Sequence, residues 1–172
     1  MKTILLLLCG LLLGCATQPR VVPNAPVTLT DNEADIYETV LRHQFTRNAS
    51  ATQQSAGSYF IQIQDADPSD TFLHRFSGET PLVKRASEAR HARDSGIYDR
   101  QTGKMSLIFE VGAIRWHGNN SVEVDGGYYE GNLSASGNTY RLTRRGNKWK
   151  VLKDTMSWIS DSRPPLSNGR NA

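Results

Sequence analysis

The sequence predicts an α+β domain in which an N-terminal helix and a short second helix pack on a curved antiparallel sheet that ends in a four-stranded meander. Three observations predict it. Ile36, Tyr37, Val40, Leu41 and Phe45 recur at steps of one, three and four, which is one apolar stripe on a helix. Between residues 104 and 158 apolar and polar residues alternate in successive runs, the period of half-buried strands. The turn residues Gly118-Asn119-Asn120 and Gly146-Asn147 separate those runs.

The first helix opens with Thr30 and Glu33 at the spacing of a capping box, where each side chain satisfies the other residue's free backbone N–H. It should run to about Thr46, with Glu38, Arg42 and Gln44 facing away from the stripe. Residues 48 to 57 are small and polar and predict a loop. Tyr59, Ile61 and Ile63 alternate with Phe60, Gln62 and Gln64, a strand with one clearly apolar face. Asp65, Asp67 and Asp70 place three carboxylates close together, but a calcium loop of the EF-hand type needs Gly and Glu where Asp70 and Phe76 stand. The segment reads instead as a short helix capped by Asp67, with Pro68 at its first position and Phe72, Leu73 and Phe76 buried.

Residues 82 to 90 are read as a strand and 91 to 98 as a loop. Met105, Leu107, Phe109, Val111 and Ala113 then alternate with polar or small neighbours, so a long strand runs from about Lys104 to His117. Val122 and Val124, Tyr140 and Leu142, and Trp149 and Val151 continue the alternation. Apolar parity slips from odd at Trp149 and Val151 to even at Met156 and Trp158. A one-residue slip turns every side chain to the other face, so a bulge or break is expected at Lys153-Asp154-Thr155, with apolar residues on both sides of it entering the core.

The chain has 172 residues, of which 38% are hydrophobic, 22% charged and 8% aromatic. These values exclude a disordered polyelectrolyte, a coiled coil, collagen and a multi-span membrane protein. The formal charge of +3 is too small to indicate a nucleic-acid partner. No Gly-x-Ser-x-Gly, Ser-x-x-Lys, His-Glu-x-x-His or phosphate-binding glycine loop is present, and His43, His74, His91 and His117 lack the paired spacing of a metal site. Accordingly no catalytic residue, metal or cofactor is assigned. A histidine with a carboxylate at the mouth of the sheet is the one acid–base set the composition offers, and His117 with Glu110 or Asp125 is the pairing considered.

The N-terminus carries an address. Lys2 precedes an apolar run from Ile4 to Leu13, which is too short for the roughly 20 residues of a membrane span but suits a secretory signal. Leu12-Leu13-Gly14-Cys15 resembles the lipobox of bacterial lipoproteins. That resemblance implies cleavage after Gly14, acylation of Cys15, anchoring of the mature protein to a lipid bilayer, and a body without thiols or disulfides. Ala16 and Thr17 do not resemble an inner-membrane retention signal, so the resemblance implies an outer-membrane protein facing the periplasm. Residues 15 to 28, with Pro19, Pro23 and Pro26, read as the lipidated cysteine and an extended tether. The single domain is expected over residues 29 to 160, with a frayed tail over 161 to 172.

Gly127-Tyr128-Tyr129-Glu130-Gly131, followed by Tyr140-Arg141-Leu142, Gly146 and Trp149-Lys150-Val151, resembles the closing strands of cystatin-like or nuclear-transport-factor-2-like cone-shaped domains. The resemblance implies a pocket between sheet and helices that holds or turns over a small apolar molecule. Two further surfaces are candidates. A two-residue turn at Gly146-Asn147 pairs Arg145 with Lys148 and Thr143 with Lys150, so Arg141, Arg145, Lys148 and Lys150 share one face. That face is either a solvated charge ladder with Glu123 and Asp125 or a patch for lipid head groups, lipopolysaccharide or an acidic envelope protein. Trp116, at the opposite parity to Met105 through Ala113, could join Tyr129 and His117 in a ligand surface or complete a small core. The expected function is that of an envelope lipoprotein presenting a non-enzymatic binding or association domain, with the cone-fold pocket as the alternative.

Overall fold

The computed structural model describes residues 25–47, 50–92, 96–131 and 134–160. The expected signal peptide with Gly14 and Cys15, most of the expected tether and the expected tail lie outside the described residues. Helix α1 spans Asp31–Arg47 and opens with the expected capping box: the Thr30 N–H donates to Glu33 Oε2 at 2.9 Å, and the Glu33 N–H to Thr30 Oγ1 at 3.3 Å. Its stripe of Ile36, Tyr37, Val40 and Leu41 is almost completely buried. Gln44, expected on the outer side, is buried too. Its amide donates to the backbone oxygens of Glu110 and Gly127 at 3.3 and 3.2 Å, which fastens the helix to the sheet through hydrogen bonds in place of apolar contact.

Part of the region expected to be a loop forms a one-turn helix, α2 (Ala51–Ser55), because the Ser50 hydroxyl accepts from the Gln53 N–H and satisfies a free donor. Strand β1 (Ser58–Ile63) follows, then the short helix α3 (Asp70–Leu73) and a 3-10 turn. Ser69, not Asp67, caps α3 by accepting from the Phe72 N–H. Asp67 accepts from the Ser87 N–H instead and ties the loop to a neighbouring segment. The segment expected as one strand over 82 to 90 is broken by a 3-10 turn into β2 (Leu82–Arg85) and β3 (Ala89–His91), and β4 (Ile97–Asp99) lies at the end of the expected loop. The meander consists of β5 (Met105–Trp116), β6 (Ser121–Gly131), β7 (Ser134–Arg145) and β8 (Lys148–Ile159).

The fold is α+β, with eight strands in a mixed, mostly antiparallel sheet whose main path runs β2-β1-β5-β6-β7-β8. Strand β1 pairs parallel with both β2 and β5, and the rest of the main path is antiparallel. One face of the sheet packs on α1 through Ile61, Leu107, Phe109, Val124 and Leu142. The other face has a small second core of Phe60, Ala89, Ile97 and Ile108, roofed by β3 and β4. Beyond that roof this second face is open.

Bulges in β5 and β8 decide which side chains reach which face. The β5–β6 register shifts between Val111 and Ile114, so Ile114 takes the core position that strict alternation gives to Ala113, and Ala113 is exposed. The same shift carries Trp116 to the helix side, where it meets Trp149 edge-on at 6.0 Å. In β8 the slip occurs at Leu152, just before the expected segment, and a second shift follows near Ser157. Met156 and Trp158 do not enter the core. They are 60% and 51% exposed on an edge strand.

Candidate functional site

On the open face, register sets five residues side by side across five strands. Gln62 of β1 pairs with Glu110 of β5, Glu110 with Gly127 of β6, Gly127 with Gly137 of β7, and Gly137 with Trp158 of β8. At about 4.8 Å per strand, the row spans about 19 Å. Its centre is glycine, and a β-carbon at either position would collide with what lies over it. A Cβ at Gly127 would lie 2.3 Å from the Ser136 carbonyl oxygen, and one at Gly137 would lie 2.1 Å from Trp158 Nε1. The indole therefore rests on bare backbone, and the row is a trough with an aromatic ring at one end and amide and carboxylate groups at the other.

The trough has two connected parts, which share Gln62, Glu110 and Trp158. One, of about 520 Å³, extends toward Asp65, Asp125, Thr139 and Ser157. The other, of about 270 Å³, lies between Trp158, Tyr129, His91 and Ile108. The lining contains the carboxylates Asp65, Glu110 and Asp125, and among the described residues it contains no lysine or arginine. One end of the trough is shaped by the two-residue turn Gln64-Asp65, whose φ angles of 50° and 62° give the paired left-handed conformation that joins a tight hairpin.

The carboxylates have different surroundings. Hydrogen bonding from Arg115 is the largest influence on Asp125, and with Thr139 it outweighs partial burial and holds the pKa of Asp125 below the ordinary carboxylate value. Glu110 is half-buried and receives only the Gln62 amide, at 3.2 Å. Among the described residues no cation pairs with it.

The residues singled out in the sequence do not converge. Tyr129 lies on the open face, where it packs against the small second core and lines the trough. Trp116 is on the opposite face. His117, just past the end of β5, is nine residues from Ile108, the partner of Tyr129, roughly 30 Å away, and its Nε2 pairs with Glu123 at 3.3 Å, not with Glu110 or Asp125. The basic hairpin forms with the expected pairs, Arg145 with Lys148 and Thr143 with Lys150. Arg141 bonds Glu123 at 2.8 Å, a rung of the charge ladder, while Arg145, Lys148 and Lys150 are exposed without an ion-pair partner among the described residues. Hydrogen bonding from Arg141 is the largest influence on Glu123 and lowers its pKa.

A smaller cleft of about 210 Å³ lies on the helix side, between the end of α1 and β7–β8. At its edge His43 Nε2 is 3.0 Å from Asp154 Oδ2, and the His43 ring meets Tyr140 edge-on. Burial, with a contribution from the Asp154 charge, pushes the Tyr140 hydroxyl up to about 12 despite its hydrogen bond with Gln44. Sequence reasoning missed both the His43–Asp154 pair and Trp158, since each depends on strand register after a bulge. Comparison with protein-family models, curated proteins and solved structures yields no match.

Proposed function

We propose that this chain is a bacterial envelope lipoprotein, anchored through Cys15 after cleavage at Gly14, whose domain binds a ligand in the trough on the open face of the sheet. The observation that carries the binding part is the Gln62-Glu110-Gly127-Gly137-Trp158 row. Two facing glycines weaken a sheet, which favours side chains that pack. Here they let an exposed indole lie down on the backbone, beside a carboxylate that has no counter-ion among the described residues. The anchor is supported by the Leu12-Leu13-Gly14-Cys15 resemblance alone.

A native mass spectrum of the full chain, extracted in mild detergent from its own host's membranes, tests both parts. The wild type should carry the mass of the acylated Cys15 and a bound species that is absent from Gly137→Val. Equal occupancy of wild type and variant would remove the trough as the binding site, and an unmodified cysteine would remove the anchor. The helix-side cleft supports a second reading as a cone-fold pocket, because the His43–Asp154 pair stands at its edge. Its volume of about 210 Å³ is below the roughly 300 Å³ at which ligand pockets begin, so the trough is preferred.

A further inference from the structure

The charge of the trough opposes that of the chain. A protein with a formal charge of +3 lines this channel with three carboxylates and, among the described residues, with no lysine or arginine. Asp125 is satisfied by Arg115 and Thr139. Glu110 is not. It sits half-buried on the floor with a single neutral donor, Gln62, and the part of the trough above it is walled by Trp158, Tyr129 and His91. A partly desolvated carboxylate gains most from a positive partner, and the faces of Trp and Tyr attract the same partner through their ring quadrupoles.

We propose that the trough binds a small organic cation, an ammonium group on an aliphatic chain, with Glu110 taking the charge and Trp158 and Tyr129 flanking it. The inference rests on the reading of the trough as a binding site and adds the ligand class. The shape suits this class. The aromatic part holds one ammonium head, and the larger part continues past Gln62 to Asp65 at the turn beyond β1, so a linear diamine or polyamine can place a second charge there. The apolar wall of the channel, Ile108 beside the rings of Tyr129 and Trp158, suits the methylene chain between the charges. A divalent metal suits the site less well, because no group of three or more metal-ligating side chains occurs among the described residues.

Isothermal titration of the full chain in detergent, at fixed ionic strength, tests the inference with 1,4-diaminobutane, spermidine, calcium chloride and chitotriose as probes. The amines should bind with a saturable one-site isotherm. Glu110→Gln, which retains the side-chain shape and the Gln62 contact, should weaken spermidine at least about tenfold. Trp158→Ala should weaken it by about fivefold or more, and Lys150→Glu should leave it unchanged. Spermidine binding that survives Glu110→Gln, calcium displacing spermidine one for one, or the absence of amine binding would overturn the ammonium assignment. Chitotriose binding that is lost in Trp158→Ala, without amine binding, would also overturn it while leaving the trough as a binding site.

Discussion

The Trp158 indole lies so close over the Cα of Gly137 that a β-carbon there would come within 2.1 Å of the ring nitrogen. This contact links an exposed edge strand to the open face and seats the indole on the glycine backbone. Gly137→Val should therefore displace the indole. Because Trp158 is 51% exposed and can swing outward, the variant should lose no more than about 1 kcal/mol, at the mild end of overpacking, while losing the ligand. Urea denaturation checks the first outcome, and a midpoint collapse comparable to a core Leu→Ala change would contradict it.

Asp99 should set the acid stability of the domain. Its carboxylate is 1% exposed and accepts from Ser58 Oγ at 2.6 Å, Lys84 Nζ at 2.9 Å and the Gln101 and Thr102 N–H groups. Burial alone would raise its pKa, but these donors together outweigh burial and hold it far below the ordinary value. An acid with a depressed native pKa stabilises the fold above its unfolded pKa of about 4 and loses that contribution as pH falls toward the native value. Stability should thus decline below about pH 4. Asp99→Ala, which strands the buried Lys84 charge, should cost about 3–5 kcal/mol at neutral pH and flatten that decline. Denaturation midpoints from pH 2 to 7 for both proteins measure it.

The cap of α3 separates a sequence expectation from the observed geometry. Ser69→Ala removes the hydroxyl that accepts from Phe72 and should cost about 1 kcal/mol. Asp67→Ala removes only a contact to the exposed Ser87 N–H and should cost less. A larger loss from Asp67→Ala in thermal unfolding would restore Asp67 as the cap.

The bulge in β5 yields a parity test. Ile114 packs against the main core and Ala113 faces solvent. Ile114→Ala should cost about 2 kcal/mol, while Ala113→Ser should stay within about 0.5 kcal/mol. The reverse order would place the strand in the unbulged register.

These cases show what the sequence carries and where it stops. Local signals were legible: the Thr30–Glu33 capping box, the α1 stripe, the meander and the Arg145–Lys148 pairing all follow from short-range pattern. Parity held until a bulge intervened, after which Trp116, Met156 and Trp158 all changed role. The trough lay beyond reach for a different reason. Gln62 stands beside Glu110 only because β1 inserts parallel to β5, a non-local pairing that no turn or spacing encodes. Gly127 and Gly137 look like ordinary strand glycines until their register sets them side by side, with the indole of Trp158 over Gly137.

The most direct test is a two-dimensional spectrum of the ¹⁵N-labelled tryptophan side chains of the full chain during titration with spermidine. The protein has three tryptophans, Trp116, Trp149 and Trp158. Trp149 is held by Asn32 through its ring nitrogen at 2.9 Å, and Trp116 abuts it on the helix side, so each reports the wrong face. A saturating shift confined to the Trp158 indole, abolished in Glu110→Gln, is the predicted result. A shift shared by Trp116 and Trp149, or a Trp158 signal that stays fixed through the titration, would contradict binding of a cation in the trough.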